Sequence, residues 1–233
     1  MSGSGPTAGE VSEAALGLGR ELTDVQARGL AVYLGLLEKW NRVTNLVGKR
    51  GWREILSDLV ADSWHVADYL SGLDCAGAAP AGPIGPVVFD LGAGAGLPGV
   101  PLRLFWDAGT YYLIEPRRKR AAFLEAAIAA MGLARTFAVE ARAEDVPGLR
   151  LAGGLRACLV VSRAFLPWRE YVRLASGLVR PGGRIVVMAS HGPPEGGEAP
   201  PGFTAGSSLA YGAAGYERYV WSLSCASAPR EEF

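Results

Sequence analysis

Val87-Val88-Phe89-Asp90-Leu91-Gly92-Ala93-Gly94-Ala95-Gly96-Leu97-Pro98-Gly99 is the stretch on which the reading of this 233-residue chain turns. A short apolar run ends in an acid, a glycine-dense turn follows, and Val100-Pro101-Leu102-Arg103-Leu104-Phe105 resumes an apolar pattern. The order is strand, tight loop, helix. Glycines let a backbone approach a ligand where a side chain would collide. Asp90 places a carboxylate beside the loop at the carboxyl end of the strand, where it repels a phosphate and attracts a cation. S-adenosylmethionine (SAM) carries a sulfonium and an ammonium. It is therefore the cofactor expected here, held by Asp90, Gly92, Gly94, Gly96, Leu97 and Pro98.

Strands and helices alternate from Val87 onward, the pattern of an α/β domain with a mostly parallel sheet. After the first strand come Tyr111 to Glu115, a helix from about Arg117 to Met131 closed by Gly132, and a strand over Thr136 to Val139. The fourth strand is Ala157 to Ser162, with a helix near Trp168 to Leu178 behind it. Pro181-Gly182-Gly183 turns into a fifth strand, Arg184 to Met188. Residues 191–206 are rich in Pro and Gly and are expected to form a loop. Leu209-Ala210-Tyr211 and Tyr219 to Leu223 are two further strands, suited to an antiparallel pair at one edge of the sheet.

Ahead of this domain, Thr23 and Gln26 have capping-box spacing, with Leu22 as a hydrophobic staple. Leu30, Leu34, Leu37 and Trp40 then recur at helical spacing until about Val43-Thr44-Asn45. A second amphipathic stretch, Trp52 to Leu70, places Ile55, Leu56, Leu59 and Val66 on one side. The Gly/Ala/Pro-rich segment Asp74 to Pro86 reads as a linker. The expected division is a disordered leader over 1–20, a helical extension and linker over 21–86, and the SAM-binding domain over 87–233. Formal net charge is zero, against a histone-like binder driven by charge alone. No apolar run is long enough to span a membrane, and the first ten residues lack a secretory pattern. The three scattered cysteines and two histidines have no metal-ligand spacing and suit the reducing cytoplasm.

The candidate chemistry clusters at strand ends. Gly94-Ala95-Gly96-Leu97-Pro98-Gly99 also matches the dinucleotide fingerprint, with Glu115 lying 21 residues past Gly94, so an NAD-dependent oxidoreductase competes. Against it stand Asp90 ahead of the turn, Pro98 and Pro101 at the helix start, and the lack of a substrate domain. Glu115 is placed to accept both hydroxyls of a ribose, or else is an exposed acid balanced by Arg117 or Arg118. Arg142-Ala143-Glu144-Asp145 offers backbone groups to an adenine edge, or is a solvated loop. Arg163, in Ser162-Arg163-Ala164-Phe165, faces the crevice beyond the strand ends, where it binds a phosphate or a purine edge or pairs with a neighbouring carboxylate. The basic scatter of Lys39, Arg42, Lys49, Arg50 and Arg53, and of Arg117 to Arg120, reads as solvated faces, and Trp40, Trp52 and Trp64 as core.

Taken together these pieces resemble the bacterial small-subunit ribosomal RNA guanine-N7 methyltransferase family, also called the glucose-inhibited division protein B family. The matches are Lys39-Trp40-Asn41-Arg42-Val43-Thr44-Asn45-Leu46, Asp62-Ser63, Asp90 through Leu102, Lys119-Arg120 with Phe123-Leu124, Arg142-Ala143-Glu144, Ser162-Arg163-Ala164-Phe165 and Glu217-Arg218. They are collinear through nearly the whole chain after residue 20. The resemblance implies a class I Rossmann-like methyltransferase fold with an N-terminal helical extension and SAM as donor. It implies a guanine N7 of small-subunit ribosomal RNA, free or in its ribonucleoprotein, as acceptor. Carried over by motif, Asn45, Arg142 and Arg163 stand near the reacting base, and Ala143, Glu144 and Arg163 join Glu115 and the turn around the cofactor. Asp58, and Ala189-Ser190 at the end of the fifth strand, stand where the family usually carries His and Lys-Gly. Guanine N7 already has a free lone pair, so no general base is required, and no histidine or cysteine is expected at the site. A monomer with no metal and no membrane contact is expected. The remaining rivals are a SAM enzyme with another acceptor and a non-catalytic ribosome-binding paralogue.

Overall fold

A computed structural model describes residues 5–73, 85–193, 199–213 and 215–226. Val87–Leu91 (β1), Thr110–Ile114 (β2), Thr136–Val139 (β3), Ala157–Arg163 (β4) and Val179–Ala189 (β5) lie parallel in one sheet. Phe203–Ala213 (β6) and Tyr216–Cys225 (β7) complete it, in the order β3-β2-β1-β4-β5-β7-β6. β7 runs antiparallel to β5 and to β6, the edge pair expected. Every residue of β1 is buried, as in a strand covered on both faces, and so it reads as a continuous apolar run. Strand order reverses between β1 and β4. That is the switch point at which a doubly wound sheet opens a crevice beyond its carboxyl ends.

Three segments differ from the sequence reading. β5 begins at Val179 rather than Arg184, because Pro181-Gly182-Gly183 is absorbed within the strand. The register shifts between the Ala157↔Val179 and Leu159↔Arg184 pairings, and Gly182 takes φ +73°. β6 begins at Phe203, inside the stretch expected as a loop. Its Thr204-Ala205-Gly206-Ser207-Ser208 carries no apolar alternation, yet its backbone pairs with β7. Residues 8–17, expected within a disordered leader, form a helix, Ala8–Gly17 (α1). Thr7 and Glu10 close a capping box at its start, and Val11 and Ala15 are fully buried. The expected linker from Asp74 lies largely outside the described residues.

The remaining helices are Asp24–Thr44 (α2), Trp52–Ile55 (α3), Ala61–Ser71 (α4), Gly99–Leu102 (α5), Arg118–Met131 (α6), Val146–Leu149 (α7) and Trp168–Ser176 (α8). α2 opens with the Thr23–Gln26 capping box read from sequence. A π-helical turn, Leu56–Val60, joins α3 to α4. Alternate strand residues serve two cores. Val88, Tyr111, Leu113, Val161 and Val186 pack with α1, α2, α4 and α6 on one face of the sheet. Phe89, Leu91, Ile114, Val160 and Val187 pack with α8 on the other. The N-terminal helices and the strands therefore share one core, and the three tryptophans noted above belong to it. Trp64 is 1% exposed, and Trp40 meets Phe123 edge-on at 5.8 Å.

Candidate functional site

At the end of β1 the chain turns with positive φ at Gly92 (69°), Gly94 (59°) and Gly96 (77°). A Cβ on Gly92 would strike the Phe165 ring, and one on Gly96 would strike Val100 and Leu124. At Gly94 a Cβ would meet Arg120 Nη1 at 3.6 Å and Gly92 O at 3.7 Å, ordinary contacts, and the residue is partly exposed, so that face of the turn is accessible. The N–H groups of Gly92 and Ala93 both donate to Ile114 O, at 2.9 and 3.0 Å. The Tyr33 hydroxyl of α2 donates to Ala95 O at 2.7 Å, and the Ser63 hydroxyl of α4 donates to Pro98 O at 3.1 Å. The helical layer thus holds the turn in place. Gly92 and Gly94 reach the surface, whereas Gly96, Leu97 and Pro98 are buried and shape the turn from within.

Glu115, just past β2, accepts the Gly94 N–H through Oε2 and the Arg117 N–H through Oε1, each at 2.9 Å. Each carboxylate oxygen offers two lone pairs, so one remains on each for a ribose hydroxyl. With the accessible face at Gly94, these residues fit the nucleoside of SAM. Asp90, like Glu115, is more enclosed than its place at a strand end suggests. It is 1% exposed, accepts the Tyr111 hydroxyl at 3.1 Å, and lies against the α-carbon of Gly99 rather than free in the crevice. The cause is position: β1 is central, flanked by β2 and β4, and the turn folds back over the end of the strand. Burial pushes the Asp90 carboxyl up to about 7, against the weaker pull of the Tyr111 hydrogen bond and of Arg163. Across the sheet, a 3₁₀ turn over Ala143–Asp145 follows β3, with Ala143 buried and Arg142 and Glu144 exposed.

Beside the turn, beyond the ends of β4 and β5, lies a cavity of about 530 Å³. Its lining includes Arg163, Phe165, Trp168, Ala189 and Arg218. β4 is seated next to β1 by the Asp90↔Val161 pairing and by the Ser162 hydroxyl, which donates to Leu91 O at 2.9 Å. Arg163 both lines the cavity and pairs with a carboxylate. Its Nη1 donates to Asp62 Oδ2 at 2.8 Å and to Leu59 O at 3.2 Å. Arg218 Nη1 reaches the same Asp62 oxygen at 2.5 Å. Asp62 is 1% exposed, and its Oδ1 has no hydrogen-bond partner among the described residues. Burial, and after it the Asp62 carboxylate, raise the pKa of the neighbouring Tyr211 hydroxyl and keep it protonated.

The turn, Glu115 and Arg163 thus gather at one end of the sheet. Asn45 does not join Arg163 in its cavity. It is exposed, caps α2 in the left-handed conformation at φ +50°, and lines a separate cavity of about 430 Å³ with Arg42 and Arg50. Asn41 shapes that loop, accepting the Val47 N–H and donating to Val47 O and Lys49 O, each at 2.9 Å. Asp58 is paired with Lys49 at 2.8 Å. Sequence reasoning gave no site role to Asp62, Arg218 or Tyr211, and expected no histidine where His191 lines the cavity. One signal was present: Asp62 shares with Leu59 and Val66 the apolar face of its helical stretch, where an acid has to find a partner.

The arrangement agrees with what the chain resembles among known proteins. Residues 26–195 match the family described as rRNA small subunit methyltransferase G. A ribosomal RNA small subunit methyltransferase G from Oleidesulfovibrio alaskensis is 38% identical over 220 residues, 91% of each chain. One from Nitratidesulfovibrio vulgaris is 43% identical over 194 residues, 83% of each chain. Among solved structures, an O-methyltransferase from Streptomyces achromogenes in complex with SAM superposes with a TM-score of 0.56 at 18% identity, over 94% of this chain and 96% of that one. The fold is that of class I SAM-dependent methyltransferases, and the chain belongs to the rRNA small subunit methyltransferase G family.

Proposed function

We propose that this chain transfers the methyl group of SAM to N7 of a guanine in small-subunit ribosomal RNA, acting as a cytoplasmic monomer on the RNA or its ribonucleoprotein. The observation that carries the reading is the junction at the switch point. The glycine turn with Glu115 and the arginine-lined cavity lie side by side where β1 and β4 end. SAM, when bound, supplies the electrophilic methyl. Guanine N7 carries its own lone pair and needs no deprotonation, so the residues would have only to align it with that methyl and keep water out. Glu115 and the Gly94 face hold the nucleoside. Phe165 and Trp168 make the cavity wall apolar. Arg163 holds O6 or a phosphate of the acceptor, a charge-assisted contact suited to its planar fork.

The test is transfer of labelled methyl from SAM to ribosomal RNA, free and as the assembled small subunit, followed by mapping of the modified atom. Label on guanine N7 at one position is expected. Label on another atom, or none on either substrate, overturns the reading. SAM but not NAD is expected to raise the melting temperature, and the reverse restores the oxidoreductase alternative.

A further inference from the structure

Two arginines from distant strands converge on one buried oxygen. Arg163 ends β4 and Arg218 lies in β7, 101 and 156 residues along the chain from Asp62, and both reach its Oδ2 through Nη1 alone. Among the described residues the Nε and Nη2 groups of both have no hydrogen-bond partner, and none of them is buried. The two side chains are 20% and 24% exposed and line the same 530 Å³ cavity. Two guanidiniums share one carboxylate, so the wall keeps an excess positive charge. Asp58, close enough to feel Arg218, is drawn instead to Lys49, which it shares with Glu54. Glu217, beside Arg218, accepts the Tyr219 hydroxyl.

We propose that Asp62 is the positioning residue of the acceptor site, holding Arg163 and Arg218 as a fixed pair whose free N–H groups bind a phosphodiester of the RNA strand. An arginine fork matches phosphate oxygens two at a time, and a pair clamped at one edge presents its remaining donors in one direction. A carboxylate this deeply buried is stable only when paired, and here it has two cations. The arrangement makes Asp62 a determinant of geometry rather than of attraction, because its own charge opposes that of the RNA.

The inference rests on the RNA-acceptor reading above, and the parent protein's transfer to ribosomal RNA, run alongside, reports on that reading separately. Arg218→Ala is expected to weaken RNA binding about tenfold and to flatten the salt dependence by roughly 0.7 to 0.9 in the slope of log affinity against log salt, with SAM affinity unchanged. Asp62→Asn keeps both arginines and makes the wall more positive. RNA affinity should hold or rise while kcat falls at least about tenfold, again with SAM affinity unchanged. A merely structural role would lower SAM affinity, RNA affinity and melting temperature together, and that outcome overturns the proposal. So does an unchanged kcat in Asp62→Asn. A loss of transfer in Arg218→Ala with the salt slope intact places Arg218 on the base and overturns the phosphate assignment. Should Asp62→Asn fail to fold, the Arg218→Ala salt slope decides alone.

Discussion

The glycine turn and the arginine wall meet at the same end of the sheet and are built in opposite ways. The turn is made of backbone. Its N–H groups are spent on Ile114 O and Glu115, two of its carbonyls are held by Tyr33 and Ser63, and two of its three positive-φ glycines have no room for a side chain. The wall is made of long side chains that keep most of their donors free. A fixed turn suits a cofactor that is the same at every turnover. Free donors anchored at one point suit a large polyanion that must arrive, be methylated and leave. The difference teaches where substitutions act: in the turn they should abolish cofactor binding through shape, and in the wall they should change rate and salt dependence through charge.

The largest expected effect is at Gly96. Gly96→Val forces a β-branched residue into φ +77° and against Val100 and Leu124. The strain is worth roughly 2–4 kcal/mol. SAM binding measured by calorimetry should be lost and the melting temperature should fall by several degrees. Normal SAM affinity in a folded Gly96→Val protein would break the comparison, because the turn would then not be the cofactor site. Next is Arg163→Ala. A hydrogen bond to a charged group is worth about 1.5–3 kcal/mol, so methyl transfer should fall at least tenfold, with SAM affinity unchanged. If SAM affinity falls as far as transfer does, Arg163 belongs to the turn's half of the site.

The same contrast governs how much could be read from sequence. The turn occupies thirteen consecutive residues, and strand, glycines and helix start all lie within one window. The strand ends are likewise local, so Glu115 and Arg163 could be placed at the crevice from the βα alternation alone. Asp62 could not, since its partners lie 101 and 156 residues away. Only its place on an apolar helix face hinted at burial. The enclosure of Asp90 was hidden for a related reason. Sequence puts it at the end of a strand, but only the packing of Tyr111 and Gly99 over it shows that it is enclosed. α1 was missed although Thr7 and Glu10 have capping-box spacing, because the Gly/Ser/Pro composition around them reads as unstructured. β6 was missed because small polar residues pair through their backbone without leaving a periodic mark.

Asp90 sharpens the turn's side of the comparison through pH. Its carboxyl sits at about 7 when folded, against an ordinary value of 3.8. The folded state therefore keeps a proton that the unfolded chain releases above about pH 4. Stability is full below that value, falls as pH rises to about 7, and is level beyond. Asp90→Asn removes this loss and keeps an acceptor for the Tyr111 hydroxyl. Relative to the parent, the variant should gain about 3 kcal/mol of stability between pH 5 and pH 8, read from urea midpoints at the two values. An equal difference at both pH values would show that the carboxylate is not enclosed as described.

The smallest expected effect is at Ala189, and it tests whether the wall acts through charge. Arg163 pairs with Met188 across the β4–β5 ladder, so residue 189 emerges one step further on, and it lines the cavity with Arg163 and Arg218. The resemblance implies a lysine at that position, where this chain has alanine. Here the two arginines already hold the wall positive, and one uncharged neighbour lowers the attraction without removing it. Ala189→Lys adds one cation beside the pair and changes no hydrogen bond of the turn. RNA affinity should rise a few-fold, and its salt dependence should steepen by roughly 0.7 to 0.9, the share of one phosphate contact. SAM affinity should stay level, because the addition lies on the acceptor side of the junction. A folded Ala189→Lys protein with unchanged RNA affinity and salt slope would mean that the strand polyanion does not pass over the end of β5. The wall would then contact the RNA only through the Asp62-held pair.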